Sequence, residues 1–107
     1  MEKLNINKIR QLIENRKIRW TNNVLVRLLQ RNITQADVEN ALLNGEIIEE
    51  YENDYPYPSC LVYGITLIDK VLHKVCGSNG TELWIITSYY PHSEEWDDNL
   101  KIRKEKR

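Results

Sequence analysis

The chain has 107 residues, 41% of them hydrophobic and 29% charged, with a formal net charge of −1. That length suits one domain over residues 1–107 with a real core, and it is too short for two. Cys60 and Cys76 form no CxxC or Cys/His ladder, and the start "MEKLNINKIRQL" has no apolar run, so a reduced, cytoplasmic protein without a membrane span is expected.

In chain order, Ile6, Ile9, Leu12 and Ile13 recur at helical spacing and predict an amphipathic helix over residues 5–17. Ile18 to Trp20 reads as a short extended link. Thr21 can cap a second helix from Asn22 to about Arg31, because its hydroxyl can accept from an amide of the first turn. On that helix Val24, Leu25, Val26, Leu28 and Leu29 sweep a broad apolar arc, while Asn23, Arg27, Gln30 and Arg31 fall into a narrow polar stripe. Thr34 caps a third helix, "QADVENALLN", with Ala36, Val38, Ala41 and Leu42 as its apolar positions and Gly45 as its stop.

From Glu46 the period changes. "EIIEEYEN", "SCLVYGITL", "VLHKVC" and "ELWIITSYY" are rich in β-branched and aromatic residues, and "DYPYP", "IDK" and "SNG" between them are turn chemistry. Asn79-Gly80 reads as a two-residue hairpin turn, since both residues accept positive φ. The segment "DDNLKIRKEKR" is a last helical turn or a frayed end. The expected fold is α+β, with three amino-terminal helices packed on one face of a roughly four-stranded antiparallel sheet.

The small net charge hides a segregation. Residues 1–31 hold eight Lys/Arg against two acidic groups, residues 32–60 hold seven acidic groups and no Lys/Arg, and residues 101–107 hold five basic groups against one. If the fold brings the two basic ends together, Arg31, Lys101 and Arg103 join one positive patch suited to phosphate contacts. The competing reading is ordinary solvated charge.

There is no Gly-rich phosphate loop, GxSxG elbow, HExxH or paired-cysteine motif, which argues against nucleotide hydrolysis, serine hydrolase chemistry and a zinc site; neither metal nor cofactor is expected. His92, in "YYPHSEE", reads as a solvated loop residue. His73 lies mid-strand in "VLHKV", where an imidazole is either an acid/base group or a satisfied structural one. A two-residue turn at Asn79-Gly80 places His73 opposite Ile86 and on the face of Trp84 and Ser88, with Thr87 and Tyr89 on the other face; a single bulge reverses this. Tyr55 and Tyr57 alternate with prolines in a stiffened loop, where base stacking and loop packing compete as roles.

Taken together, "RWTNNVLVRLLQRNITQADVENALLNGEIIEEY", "YPYPSCLVYG", "LHKVCG" and the "WIITSYYP" segment with its following Trp96 resemble the bacterial family known as domain of unknown function 4258, over about residues 18–104. That family is related to the RelE-like and BrnT-like ribonuclease toxins, so the resemblance implies a small RelE-like α+β fold and a toxin-type, metal-independent endoribonuclease of a toxin–antitoxin module. Its implied partners are an RNA substrate and a small zinc-finger antitoxin protein. The position held here by Asn23 is usually a histidine in the family, followed by an arginine four residues on, here Arg27. Asparagine hydrogen-bonds but cannot shuttle a proton, so the resemblance implies activity weakened or lost at this residue. The remaining implied catalytic set is Arg27 for the transition state, His73 as acid or base, and Thr87 and Tyr89, matching an "ITxY" segment, to orient the phosphate. The alternative is a non-catalytic RNA- or antitoxin-binding module that keeps the same fold.

Overall fold

The computed structural model describes residues 4–104. Helix α1 spans Ile6–Glu14, strand β1 Ile18–Trp20, helix α2 Asn22–Gln30 and helix α3 Gln35–Leu43; strands β2 Glu46–Tyr51, β3 Ser59–Ile65, β4 Val71–Ser78 and β5 Leu83–Tyr89 follow. The fold is α+β, with three helices and a five-stranded sheet in the order β1-β5-β4-β3-β2. The expectation of four antiparallel strands is corrected at β1. The stretch Ile18 to Trp20, expected as a link, pairs in parallel with Leu83, Trp84 and Ile85 and adds a fifth strand at the edge. Three residues with no periodicity to read leave a strand this short invisible in sequence.

Each helix begins where its side-chain chemistry allows. Asn5 accepts from the Lys8 amide at 2.9 Å, Thr21 from Val24 at 3.2 Å, and Thr34 from Asp37 at 3.0 Å. Thr34 and Asp37 form a reciprocal capping box, so two otherwise orphaned amides are satisfied together. On α2 only Val24 and Leu28 are fully buried, while Val26 and Leu29 are 51% and 79% exposed, so the apolar arc is narrower than its composition suggests.

Gly45 does not stop α3 by a left-handed conformation; Asn44 occupies the cap, and Gly80 is the glycine with positive φ. Gly45 is small because a Cβ there would lie 2.6 Å from the Ala41 carbonyl oxygen and 2.6 Å from Val62. At Gly64 the approach is closer still, with a Cβ 1.7 Å from the same carbonyl, so α3 lies directly on β3. The carbonyls at the end of α3 are met by cations. Arg10 donates to Leu43 O at 2.9 Å and Gly45 O at 3.2 Å, and the buried Lys74 ammonium donates to Ala41 O at 3.0 Å and Leu72 O at 2.9 Å. A helix C-terminus favours positive charge, which offsets part of the cost of burying Lys74.

The core between helices and sheet contains Ile9, Leu12, Ile13, Val24, Leu28, Val38, Ala41 and Leu42 against Cys60, Val62, Leu72, Cys76, Leu83 and Ile85. Cys60 and Cys76 are directly opposite on β3 and β4, buried and reduced. The Cys76 thiol is pushed well up by its hydrogen bond with Cys60 and by burial. On the other sheet face residues 91–104 cross over His73 toward β2; the end of the chain, read from sequence as a helical turn or a frayed end, is there a strap closed by a bridge between Trp96 and Arg103. The tail's final residues, 105–107, lie outside the described residues.

Register decides which side chains share that second face. The turn is longer than two residues: Ser78 pairs with Leu83, and Asn79 folds back to accept from the Thr81 and Glu82 amides, both at 2.9 Å. A bulge at Ile86 then shifts the pairing, so His73 faces Tyr89 and Val75 faces Thr87. His73, Thr87 and Tyr89 are therefore on one face, contrary to the two-residue-turn expectation.

Candidate nucleic-acid interface

Strand β1 pairs only with residues 83–85 of β5, so residues 86–89 extend beyond it, and α2 leaves the end of β1 to run beside them. The result is a groove of about 720 Å³. One wall carries Thr21, Asn23, Arg27 and Arg31; the other is the loop of residues 54–57; Trp84, Ile86 and Thr87 lie between. Asn23, Arg27 and Arg31 of the polar stripe thus face a cleft, and Gln30 does not line it. Arg31 is half-buried and fixed, its Nη1 donating to Ser88 O at 2.7 Å and lying 3.5 Å from Thr87 Oγ1. Arg27, one turn earlier, is exposed on the groove wall.

The loop supplies flat apolar surface. Tyr57 stacks on Trp84 with ring centroids 5.4 Å apart and planes only 4° from parallel, while Tyr55 is 96% exposed. Arginines on one wall and aromatic rings on the other fit a nucleotide strand, with phosphates toward the cations and bases toward the rings. Trp84 escapes the sequence reading because the two-residue turn assigns it to the face of Ser88. The bulge at Ile86 separates the two residues, leaving Trp84 opposite Gly77 on the more open face.

Four of the sequence-predicted residues meet here: Asn23, Arg27, Arg31 and Thr87. The other four do not. His73 is fully buried beneath the strap, edge-on to Trp96 with centroids 4.4 Å apart, and its Nε2 donates to Leu100 O at 2.6 Å. Because a carbonyl only accepts, this bond places the proton on Nε2 and leaves Nδ1 without a partner among the described residues. Burial lowers the His73 pKa despite that carbonyl, so the ring is neutral near pH 7. Tyr89 packs beside it, ring centroids 5.5 Å apart, rather than in the groove.

Lys101 and Arg103 belong to the strap and not to the α2 side, so the condition for one positive patch with Arg31 is not met. Lys101 pairs with Glu46 at 2.6 Å and Arg103 with Glu49 at 2.9 Å, both on β2 at the sheet edge opposite β1. Arg103 also lies over Trp96 at 4.7 Å, and Lys101 over Tyr63 at 4.8 Å. These contacts fasten the strap: Glu49, although burial opposes it, is held below its ordinary pKa by its bonds from Arg103 and Tyr51. Sequence segregates these charges from the acidic β2 segment, whereas the fold brings them together. Exposed His92 stays in its loop, as expected. Among the described residues, no group of three or more His, Cys, Asp or Glu side chains is placed to hold a metal ion, and no helix is long and apolar enough to cross a membrane.

Fold and groove together define a small α+β domain with a cationic, aromatic-lined cleft between a helix and an uncovered sheet edge. The chain belongs to the family described as Domain of unknown function (DUF4258), whose sequence profile matches residues 20–90 and so spans the whole groove. No curated protein and no solved structure matches the chain.

Proposed function

We propose that the chain binds single-stranded RNA in the α2/β5 groove and is a RelE-like or BrnT-like, metal-independent endoribonuclease of a toxin–antitoxin module, with turnover weakened by Asn23. The observation that carries this reading is the placement of Arg27 and Arg31 across from the loop that carries Tyr57, with its stacking partner Trp84 and with Thr87 between them. Cleavage of this kind needs the 2′-oxygen to attack phosphorus while a base takes its proton, an acid to protonate the departing 5′-oxygen, and cations for the charge that builds on the phosphorane. Arg27 and Arg31 supply the last, and Thr87 offers a hydrogen bond to a phosphate oxygen. Asn23 stands where a proton carrier belongs, and His73 is walled off by Trp96 and Leu100.

The buried His73 also favours a second reading, a non-catalytic module that keeps RNA or antitoxin binding. In either case the partner is a small zinc-finger antitoxin whose acidic segment masks the Arg27/Arg31 side, an association that weakens as salt rises. The deciding experiment incubates single-stranded RNA with the chain and with Asn23→His, both in chelator. Binding by both and 2′,3′-cyclic phosphate products from Asn23→His support a weakened ribonuclease. Binding without cleavage by either leaves an RNA-binding module, and binding by neither removes the ribonuclease and the RNA-binding module and leaves only antitoxin binding, which the salt dependence of that association tests.

A further inference from the structure

The two walls of the groove carry opposite charge. Arg27 and Arg31 line the α2 side, and Asp54 is the one carboxylate among the groove-lining residues, on the side of the aromatic loop. A carboxylate repels phosphates, so a strand seated with its backbone on the arginines turns its bases toward Asp54. Asp54 is also held in place. Its backbone amide donates to Tyr51 O at 3.2 Å, and buried Ser59 donates its hydroxyl to Oδ2. Each carboxylate oxygen accepts more than one hydrogen bond, so both oxygens stay available to a base.

Resting on the RNA reading above, we infer that Asp54 is a specificity-determining residue that selects guanine. A carboxylate offers two acceptors side by side. Guanine presents two adjacent donors on its pairing edge, N1–H and the N2 amino group, and meets both. Uracil sets its single N3–H between two carbonyls, cytosine sets its amino group beside acceptor N3, and adenine sets its amino group beside acceptor N1. Each of these brings an acceptor against a carboxylate oxygen. Tyr55, adjacent to Asp54 in the chain and 96% exposed, and the half-buried Tyr57/Trp84 pair supply aromatic surface beside that carboxylate, and stacking alone does not discriminate among bases.

The test uses fluorescence anisotropy with labelled single-stranded RNA heptamers: all uridine, or uridine with a central guanosine, adenosine or cytidine. The guanosine heptamer is expected to bind about tenfold more tightly than the other three, the discrimination of a good bidentate pair. Asp54→Asn replaces one acceptor with a donor and removes a charge. It should abolish the guanosine preference and, having lost a charge that repels phosphate, bind all-uridine RNA about twofold more tightly. A purely structural role for Asp54 would instead weaken every heptamer alike, and that outcome overturns the inference, as does a guanosine preference that survives Asp54→Asn. If all heptamers bind equally and Arg27→Ala weakens them all, only the guanine inference falls. If none binds, or Arg27→Ala has no effect, the RNA groove falls with it.

Discussion

Replacing Lys74 with methionine should flatten the pH dependence of stability. The Lys74 ammonium is fully buried, and burial pushes its pKa down to about 7, against ~10.4 in an unfolded chain. Between those values the unfolded state binds the extra proton, so stability rises with pH, by at most about 1.4 kcal/mol per pH unit. Other groups bound the useful window. His73, lowered by burial, adds a rise of the same sign that is complete near its unfolded value of about 6.5. Cys76, raised by its Cys60 hydrogen bond and by burial, keeps a proton that the unfolded chain loses above about 8.5, so its contribution falls with pH there. Tyr51, raised to about 12 by burial and by its bond to Glu49, and Tyr89, raised by burial, also lower stability with rising pH, from about 10 upward. From pH ~7 to ~8.5 the native protein should therefore gain up to about 2 kcal/mol. Urea unfolding under reducing conditions at half-unit steps measures this. Lys74→Met leaves Ala41 O and Leu72 O without their donor, at a cost of about 1–3 kcal/mol each, so its absolute stability is not the readout; its slope is. A flat wild-type profile across the window, or a Lys74→Met profile as steep as wild type, would refute the reasoning.

Gly64→Ala should destabilise the fold by about 3 kcal/mol or more by driving a methyl into the Ala41 carbonyl; a melting temperature within a degree or two of wild type would show that α3 does not lie as close to β3 as described. Trp96→Ala should cost about 3–5 kcal/mol and move the His73 pKa up toward its ordinary value as water reaches the ring, read from its imidazole resonances in an NMR titration. An unchanged titration would mean that the strap does not bury His73. In RNA binding, Arg27→Ala should weaken affinity by about 1 kcal/mol or more and reduce the salt slope by about one, while Lys101→Ala, whose ammonium pairs with Glu46 outside the groove, should do neither. Equal effects from both would disperse the proposed site over the whole surface.

The helical half of the fold is legible because its signals are local. Asn5, Thr21 and Thr34 cap within three residues of their partners, and the spacing of Ile9, Leu12 and Ile13 names the buried side of α1 without any knowledge of the sheet. The sheet is harder to read because its ladder depends on residues far apart in sequence. Strand β1 has three residues, and its partner lies more than sixty positions away. Gly45 shows the same limit in another form. A glycine after a helix suggests a cap, but its reason here is Val62 and Tyr63 on a neighbouring strand, contacts that no local pattern announces.

The site divides along the same line. Asn23, Arg27 and Arg31 recur at helical spacing, so their common direction follows from α2 alone, and only the surface opposite them has to come from the fold. His73, Thr87 and Tyr89 were separable only by register, and one extra residue at Ile86 inverts the assignment. Even the corrected register does not make them one site, because a shared face is not a shared opening: Thr87 borders the groove at the uncovered end of β5, whereas His73 lies under Trp96 with Tyr89 beside it, outside the groove. The strap that separates them is fastened by Lys101 and Arg103, the cations that sequence alone offered for phosphate contacts. Their pairing with β2 leaves Arg27 and Arg31 as the arginines lining the groove, so the charge a phosphate would meet is that of α2, not of the carboxyl-terminal tail.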